Sequence, residues 1–201
     1  MIAIAHANVE RLLRIINDIL DMEKIRAGKL DYDLRPVDLG SLLEQVIEAN
    51  QIYAAQFDVN IMLAPVPPVA VNADAGRLTQ ALTNLLSNAI KASDNGGSVV
   101  MDTKTGRETV RISITDQGPG ISPEMRSRIF DEFVQGEQPA GREKSGYGLG
   151  LGIALSIIRD HGGMLDFVSQ VGRGTTFFLD LPLAGDVPAA TSETRSAAAG
   201  G

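Results

Sequence analysis

The sequence predicts an α+β fold, and three features carry that expectation. Residues 1–27 space their apolar side chains by threes and fours, as a long amphipathic helix does. Two further helical stretches, about 39–57 and 74–93, each begin at an aspartate suited to capping them, Asp38 and Asp74. Two β-type runs, Ser98–Thr105 and Thr109–Thr115, meet at a Gly106-Arg107 turn and read as paired strands.

In the first helix the seam runs through Ile2, Ala5, Val9, Leu12, Ile16 and Ile19, and the same spacing then reaches Glu23. Leu13 and Leu20 widen the stripe, which suits packing against more than one helix, and Gly28 marks its stop. Such a helix needs a partner, either a second copy of the chain or its own body. The regularity of the pattern points to dimerisation. Arg35-Pro36-Val37 then reads as an edge strand opening the body. Val59–Leu63 and Val69–Val71 read as short strands around a proline turn. Asp94-Asn95-Gly96-Gly97 ends the third helix. Residues 117–148 carry six glycines and no regular pattern, and a loop that long in a compact domain is usually functional. A helix over about 149–160 and strands near 164–169 and 175–181 complete the body. Residues 184–201 are rich in Ala, Gly, Ser and Thr and read as a disordered tail.

Composition narrows the function classes. Of 201 residues, 44% are hydrophobic and 21% charged, enough for a packed core. A net charge of −7 argues against tracking a nucleic-acid backbone. With no cysteine there is no disulfide, thiol catalysis or cysteine metal site, and two histidines are too few for a histidine-rich centre. The most apolar stretch, Ile61–Val71, holds three prolines and is too short to span a bilayer. The start of the chain has no signal-peptide core, so the expectation is a soluble, cytoplasmic chain without membrane contact.

Four segments could carry chemistry. Asn84, Asn88 and Lys91 share one face of the third helix, opposite Leu85, Leu86, Ala89 and Ile90. Neutral amide oxygens can ligate Mg²⁺ and a lysine can meet a phosphate; the plain alternative is a solvated polar face. Asp116-Gln-Gly118-Pro-Gly120-Ile121 places a carboxylate at a strand end before glycines, which suits recognition of an exocyclic amine but also suits an ordinary turn. Gly146-Tyr147-Gly148-Leu149-Gly150-Leu-Gly152 leads into a helix and could offer amides to a phosphate or act as a hinge. It is not a dinucleotide fingerprint, since Leu151 stands where the third glycine belongs, and the chain contains no P-loop. Gly172-Arg-Gly174-Thr175 reads in isolation as a hairpin turn.

In this order the segments resemble the catalytic ATP-binding domain of sensor histidine kinases, within the larger family shared with DNA gyrase, Hsp90 and MutL. Asn84–Lys91, preceded by Asp74, Arg77 and Gln80, resembles the N box. Asp116-x-Gly118-x-Gly120 resembles the first glycine box, Phe130–Phe133 the F box, Gly146–Leu151 the second glycine box and Gly172–Thr175 the last. The resemblance spans about residues 1–182. It implies a Bergerat-type two-layer α/β sandwich, a mixed sheet covered on one side by helices, with an N-terminal helix. ATP would lie between the Asn-bearing helix and a lid of about residues 117–148.

The resemblance also assigns roles. Asp116 would take the adenine amine, assisted by Thr175 through water, with Ile121 and Phe133 near the base. Asn88 and Asn84 would hold Mg²⁺, and Lys91 with the amides of Gly148, Leu149 and Gly150 would neutralise phosphate charge. Gly118, Gly120, Gly146 and Tyr147 would line the nucleotide, with Arg142 and Lys144 as further phosphate candidates. Hydrolytic relatives carry a glutamate general base at the position of Asn84; asparagine cannot take that proton, so transfer is favoured over hydrolysis. The family's phosphoaccepting histidine sits in a His-Glu-x-x-x-Pro box, which neither His6 nor His161 matches; His161 suits a helix C-terminus instead. Residues 1–30 therefore resemble the second helix of the dimerisation hairpin, and residues 31–183 the catalytic domain. The expectation is a fragment of a longer kinase, rather than a natural protein acting in trans, that does not autophosphorylate. Its partners would be ATP or ADP, a phosphoacceptor hairpin, a response-regulator receiver domain and a second copy of itself. The other reading is a non-catalytic nucleotide-binding dimerisation module. Two departures from the family pattern, Tyr147 for threonine and Gly152 for alanine, remove no ligand.

Overall fold

A computed structural model describes residues 2–27, 31–131, 134 and 148–185, with the α1 side chains described at 9, 12, 13 and from 16 onward. The order is α1 (Ile2–Arg26), β1 (Arg35–Asp38), α2 (Leu39–Gln56), β2 (Asn60–Leu63), β3 (Ala70–Ala73), α3 (Ala75–Ala92), β4 (Ser98–Thr105), β5 (Thr109–Thr115), α4 (Pro123–Arg126), α5 (Gly150–Asp160), β6 (Met164–Gln170) and β7 (Gly174–Pro182). Five strands form one sheet in the order β2-β4-β5-β7-β6. Only β2 and β4 run parallel, so the sheet is mixed. β1 and β3 form a separate antiparallel pair, which an isolated bridge from Val71 to Leu183 ties to the end of β7.

Local chemistry sets the helix starts. Asp38 Oδ2 accepts from the Ser41 amide at 2.8 Å, and Asp74 Oδ1 from the Arg77 amide at 3.0 Å. Each such cap contributes about 1 kcal/mol. α3 then repeats buried residues at Leu78, Ala81, Leu82, Leu85, Leu86, Ala89 and Ile90, an apolar stripe of helical period. That stripe makes α3 the central helix, touching β4, β5 and β7 below and α2 and α5 beside it. The strands answer with Val99, Met101, Val110, Ile112, Ile114, Phe177, Leu179 and Leu181, all buried. The opposite sheet face mixes polar and apolar side chains: Met164 and Val168 are exposed there, and Arg111 forks onto Asp180 at 2.7 and 2.6 Å, with its guanidinium 4.3 Å from the Phe178 ring centre.

The two-layer sandwich and its elements match the expectation, with two additions. The span 117–148 was expected to be irregular throughout, yet it contains the short helix α4, opened by Pro123 at its first position. The pairing of β1 with β3 joins two strands that the sequence showed only singly.

Through its last turns α1 contacts the body. Asp21 Oδ2 accepts from Arg77 at 2.9 Å and from Gln80 at 2.7 Å, and Met22 is buried. Gly152 makes room for this contact: a Cβ there would lie 3.2 Å from Met22 Cε and 3.3 Å from the Phe130 carbonyl oxygen. Among the described side chains of the stripe, Val9, Leu12, Leu13, Ile16, Ile19 and Leu20 are exposed. Between α1 and the body, Tyr32 donates to Asp160 at 2.7 Å and the Asp33 amide donates to Asp74 at 3.2 Å. Burial first, then the Asp160 acceptor, pushes the Tyr32 phenol well above its ordinary range.

Candidate functional site

Asp116 stands just past the end of β5, with its amide donating to the Thr175 carbonyl at 2.9 Å. Its side chain is only 3% exposed. Oδ1 accepts from the Gly118 amide at 2.9 Å and from the Thr175 amide at 3.1 Å. Burial pushes the carboxyl above the ordinary aspartate range, while those two amides pull it back. With both amides on Oδ1, Oδ2 is the oxygen left to accept from a ligand. Two glycines permit this geometry. Gly174 has φ +104, and a Cβ on it would lie 2.1 Å from the Asp116 carbonyl oxygen. A Cβ on Gly118 would lie 2.4 Å from the carbonyl oxygen of Ala92, so the loop rests directly on the C-terminus of α3. β5, β7 and α3 converge here because two side chains are missing.

The loop after Asp116 lies against the β6–β7 hairpin. The Gly172 amide donates to the Pro119 carbonyl at 2.8 Å, just before Gly120, and the Ile121 amide donates to Ser169 Oγ at 2.8 Å. Ser169 Oγ also lies 2.9 Å from Thr175 Oγ1, and the Ser169 carbonyl accepts from Arg126 at 2.7 Å. Sequence reasoning missed Ser169, since a lone serine in a strand carries no local signal; only its register opposite Thr175 brings it in.

At the other end, Asn84, Asn88 and Lys91 lie half-buried along the face of α3 that turns away from its core stripe. Asn84 Nδ2 donates to the Gly150 carbonyl at 3.2 Å, joining α3 to the first turn of α5 and leaving Oδ1 as a potential cation ligand. Gly148 takes φ +71 and Leu149 supplies the carbonyl that Ile153 bonds at 3.0 Å. The Leu149 side chain is 2% exposed and belongs to the core, so only its backbone can serve a ligand. No group of three or more His, Asp or Glu suited to a metal occurs among the described residues. A cation here would take neutral amide oxygens plus oxygens brought by the ligand and by water, which fits Mg²⁺ on phosphates. The structure thus brings Asp116, Gly118, Gly120, Ile121 and Thr175 together, and Asn84 with Gly150. Phe133, Arg142, Lys144, Gly146, Tyr147 and the side chain of His6 lie outside the described residues.

His161 stands apart. It ends α5, with Nδ1 bonded to the Ile157 carbonyl at 2.7 Å and Nε2 accepting from the Asp74 amide at 3.0 Å. Both bonds together require the neutral ring with its proton on Nδ1. It meets the N-terminal end of α3, whereas Asn88 and Lys91 occupy the C-terminal half. The expected position at a helix C-terminus is what the structure shows.

Comparison with known proteins agrees with this geometry. The family model for histidine kinase-, DNA gyrase B- and HSP90-like ATPases matches residues 73–185. The Non-motile and phage-resistance protein of Caulobacter vibrioides is 36% identical over 184 residues, which cover 89% of this chain and 22% of that protein. The signal transduction histidine-protein kinase BarA of Escherichia coli is 34% identical over 182 residues, covering 88% of this chain and 20% of its own. The crystal structure of full-length ShkA in complex with AMPPNP superposes with a TM-score of 0.74 at 34% identity, over 86% of this chain and 36% of that one. The chain spans about a fifth of the length of these curated relatives, at 22% and 20%.

Proposed function

Since the chain belongs to the family of histidine kinase-, DNA gyrase B- and HSP90-like ATPases, we propose that it is the ATP-binding catalytic part of a two-component sensor histidine kinase. It binds ATP and passes the γ-phosphoryl group to a histidine on an H-box hairpin, from which the group moves to an aspartate of a response regulator. The observation that carries this reading is the buried Asp116 carboxylate, whose Oδ1 takes two backbone amides and leaves Oδ2 to accept from an exocyclic amine. ShkA, solved with an ATP analogue, supports nucleotide binding at the matching fold.

Asp116 accepts from the adenine amine and Thr175 assists, with Ile121 beside the base. Asn88 and Asn84 would hold Mg²⁺ through their amide oxygens, and Lys91 with the amides at 148–150 would receive phosphate charge. Mg²⁺ held there would supply positive charge to neutralise the phosphates. In the transfer, the bond between the γ-phosphorus and the bridging oxygen breaks and a phosphorus–nitrogen bond forms at the acceptor imidazole, leaving ADP. Little covalent chemistry falls to the protein, so positioning dominates. Asn84 cannot deprotonate a water, which spares the γ-phosphoryl for the histidine.

Residues 1–30 act as the second helix of the dimerisation hairpin. Their exposed Val9, Leu12, Leu13, Ile16, Ile19 and Leu20 would be covered by the first helix and a second copy. Residues 31–183 form the catalytic domain, with a lid within about 117–148 and a tail over 184–201. No helix among the described residues is long and apolar enough to cross a membrane.

Calorimetry with AMPPNP, with and without Mg²⁺, tests the reading on wild type and Asp116→Asn. Mg²⁺-assisted binding that the substitution abolishes is expected. Label from γ-³²P-ATP should then reach the histidine of an H-box hairpin supplied in trans. A folded wild type that binds no nucleotide would overturn the proposal, and binding without label transfer would leave the non-catalytic module.

A further inference from the structure

Resting on the reading of Asp116 as the adenine acceptor, we propose that Ser169 is a positioning residue of the nucleotide site. Its hydroxyl sets the direction of the Thr175 hydroxyl, so that Thr175 offers a proton, directly or through a bridging water, to the ring nitrogen next to the adenine amine.

The argument is one of hydrogen-bond counting. A serine hydroxyl has one proton and two lone pairs. One lone pair of Ser169 Oγ takes the Ile121 amide at 2.8 Å. The remaining lone pair and proton must serve two neighbours, Thr175 Oγ1 at 2.9 Å and the Gly174 carbonyl at 3.2 Å. Two arrangements exist. In the first, Ser169 donates to the Gly174 carbonyl and accepts from Thr175, so the threonine turns a lone pair toward the site. In the second, Ser169 donates to Thr175 Oγ1 along the shorter contact, so the threonine turns its proton toward the site.

Adenine presents a donor, the exocyclic amine, beside an acceptor, N1. Its complement is an acceptor beside a donor. Asp116 supplies the acceptor, and Thr175 is its immediate neighbour, with its amide on Asp116 Oδ1 at 3.1 Å. Only the second arrangement makes Thr175 the matching donor; the first sets acceptor beside acceptor. Ser169 itself is held from both sides, its hydroxyl by the Ile121 amide and its carbonyl by Arg126 at 2.7 Å. It therefore has little freedom except in where its proton points. With its proton along the shorter contact to Thr175 Oγ1, Ser169 sets the productive direction and leaves the threonine proton for the ring nitrogen.

A ligand that lacks N1 isolates this role. Calorimetric affinities for ADP and 1-deaza-ADP, in which N1 is replaced by C–H, are compared in wild type, Ser169→Ala, Ser169→Cys and Ser169→Thr. Loss of one oriented hydrogen bond should weaken ADP about tenfold in Ser169→Ala, yet weaken 1-deaza-ADP less than about twofold. Ser169→Thr, which keeps the hydroxyl, should restore the preference for ADP. Ser169→Cys keeps the shape with a weak donor and carries the test if the alanine variant does not fold. An equal loss for both ligands, which a purely structural role would give, overturns the proposal, as does an unchanged ADP affinity. If Asp116→Asn abolishes ADP binding while Ser169→Ala and Ser169→Cys leave the ADP preference intact, the function stands and this inference falls. If wild type binds neither ligand, both fall.

Discussion

Around Asp116, two backbone amides hold one carboxylate oxygen, and a serine, a threonine and a third amide form a second layer behind it. Around Asn84 and Asn88, one side-chain bond of 3.2 Å crosses from α3 to the first turn of α5. The first region is assembled from strand ends and a hairpin whose registers are set by the sheet, so its geometry exists before any ligand arrives. The second lies between two helices whose facing surfaces near Gly150 are small and polar. The difference separates a site built by strand registers from one built by a single helix-to-helix bond. Under the proposed function, the Asp116 end would offer a pre-organised pattern of donors and acceptors, at the cost of burying a carboxylate, whereas the asparagine end would receive phosphate oxygens and a cation.

The comparison breaks first at Asp116. Asp116→Asn keeps an oxygen for the Gly118 and Thr175 amides and removes the charge, so nucleotide affinity should fall about a hundredfold or more in calorimetry. The same change should raise the melting temperature at neutral pH. Burial lifts the folded-state pKa of Asp116, so its ionisation costs stability; the cost begins as pH rises through the unfolded aspartate value near ~3.9 and is complete above the raised folded value. The advantage of the asparagine variant should therefore vanish below about pH 4 in melts taken across pH. Affinity of the wild type should in turn fall on acidification at a higher pH than an ordinary aspartate would dictate. An affinity unaffected by Asp116→Asn would place base recognition elsewhere.

At the phosphate end, Asn88→Ala should abolish the enhancement of binding by Mg²⁺, about tenfold, while leaving metal-free binding nearly unchanged. If metal-free binding fell as much, Asn88 would be a general prop rather than a cation ligand. Asn84→Ala should cost about 1 kcal/mol in denaturant unfolding and speed amide exchange at 150–153, because it frees the start of α5. The smallest effect belongs to the far face of the sheet. Arg111→Ala removes the fork onto Asp180, yet a pair this exposed contributes under about 1 kcal/mol, and nucleotide affinity should not move.

Much of this was legible in local patterns. Asp38 and Asp74 announce α2 and α3 because a cap acts within four residues of chain. β4 and β5 fall where alternation and the Gly106-Arg107 turn place them. Asp116 and its glycines stood out because their spacing is itself the constraint. What stayed hidden depends on neighbours distant in the chain. Ser169 matters only through its register beside Thr175, and the bond of His161 to the Asp74 amide exists only because α5 ends under the cap of α3. The room that Gly152 leaves for Met22 is equally invisible, since a glycine near a helix start reads locally as a weakness.

By itself, then, the sequence determined which segments are helix and strand and which residues carry amide, carboxylate and glycine chemistry, because capping, periodicity and backbone freedom act over a few residues. Only the tertiary structure decided which oxygen of Asp116 is spoken for, which hydroxyl stands behind Thr175 and how far the body covers α1. Those facts depend on distances between groups dozens of residues apart, and no short-range rule specifies them.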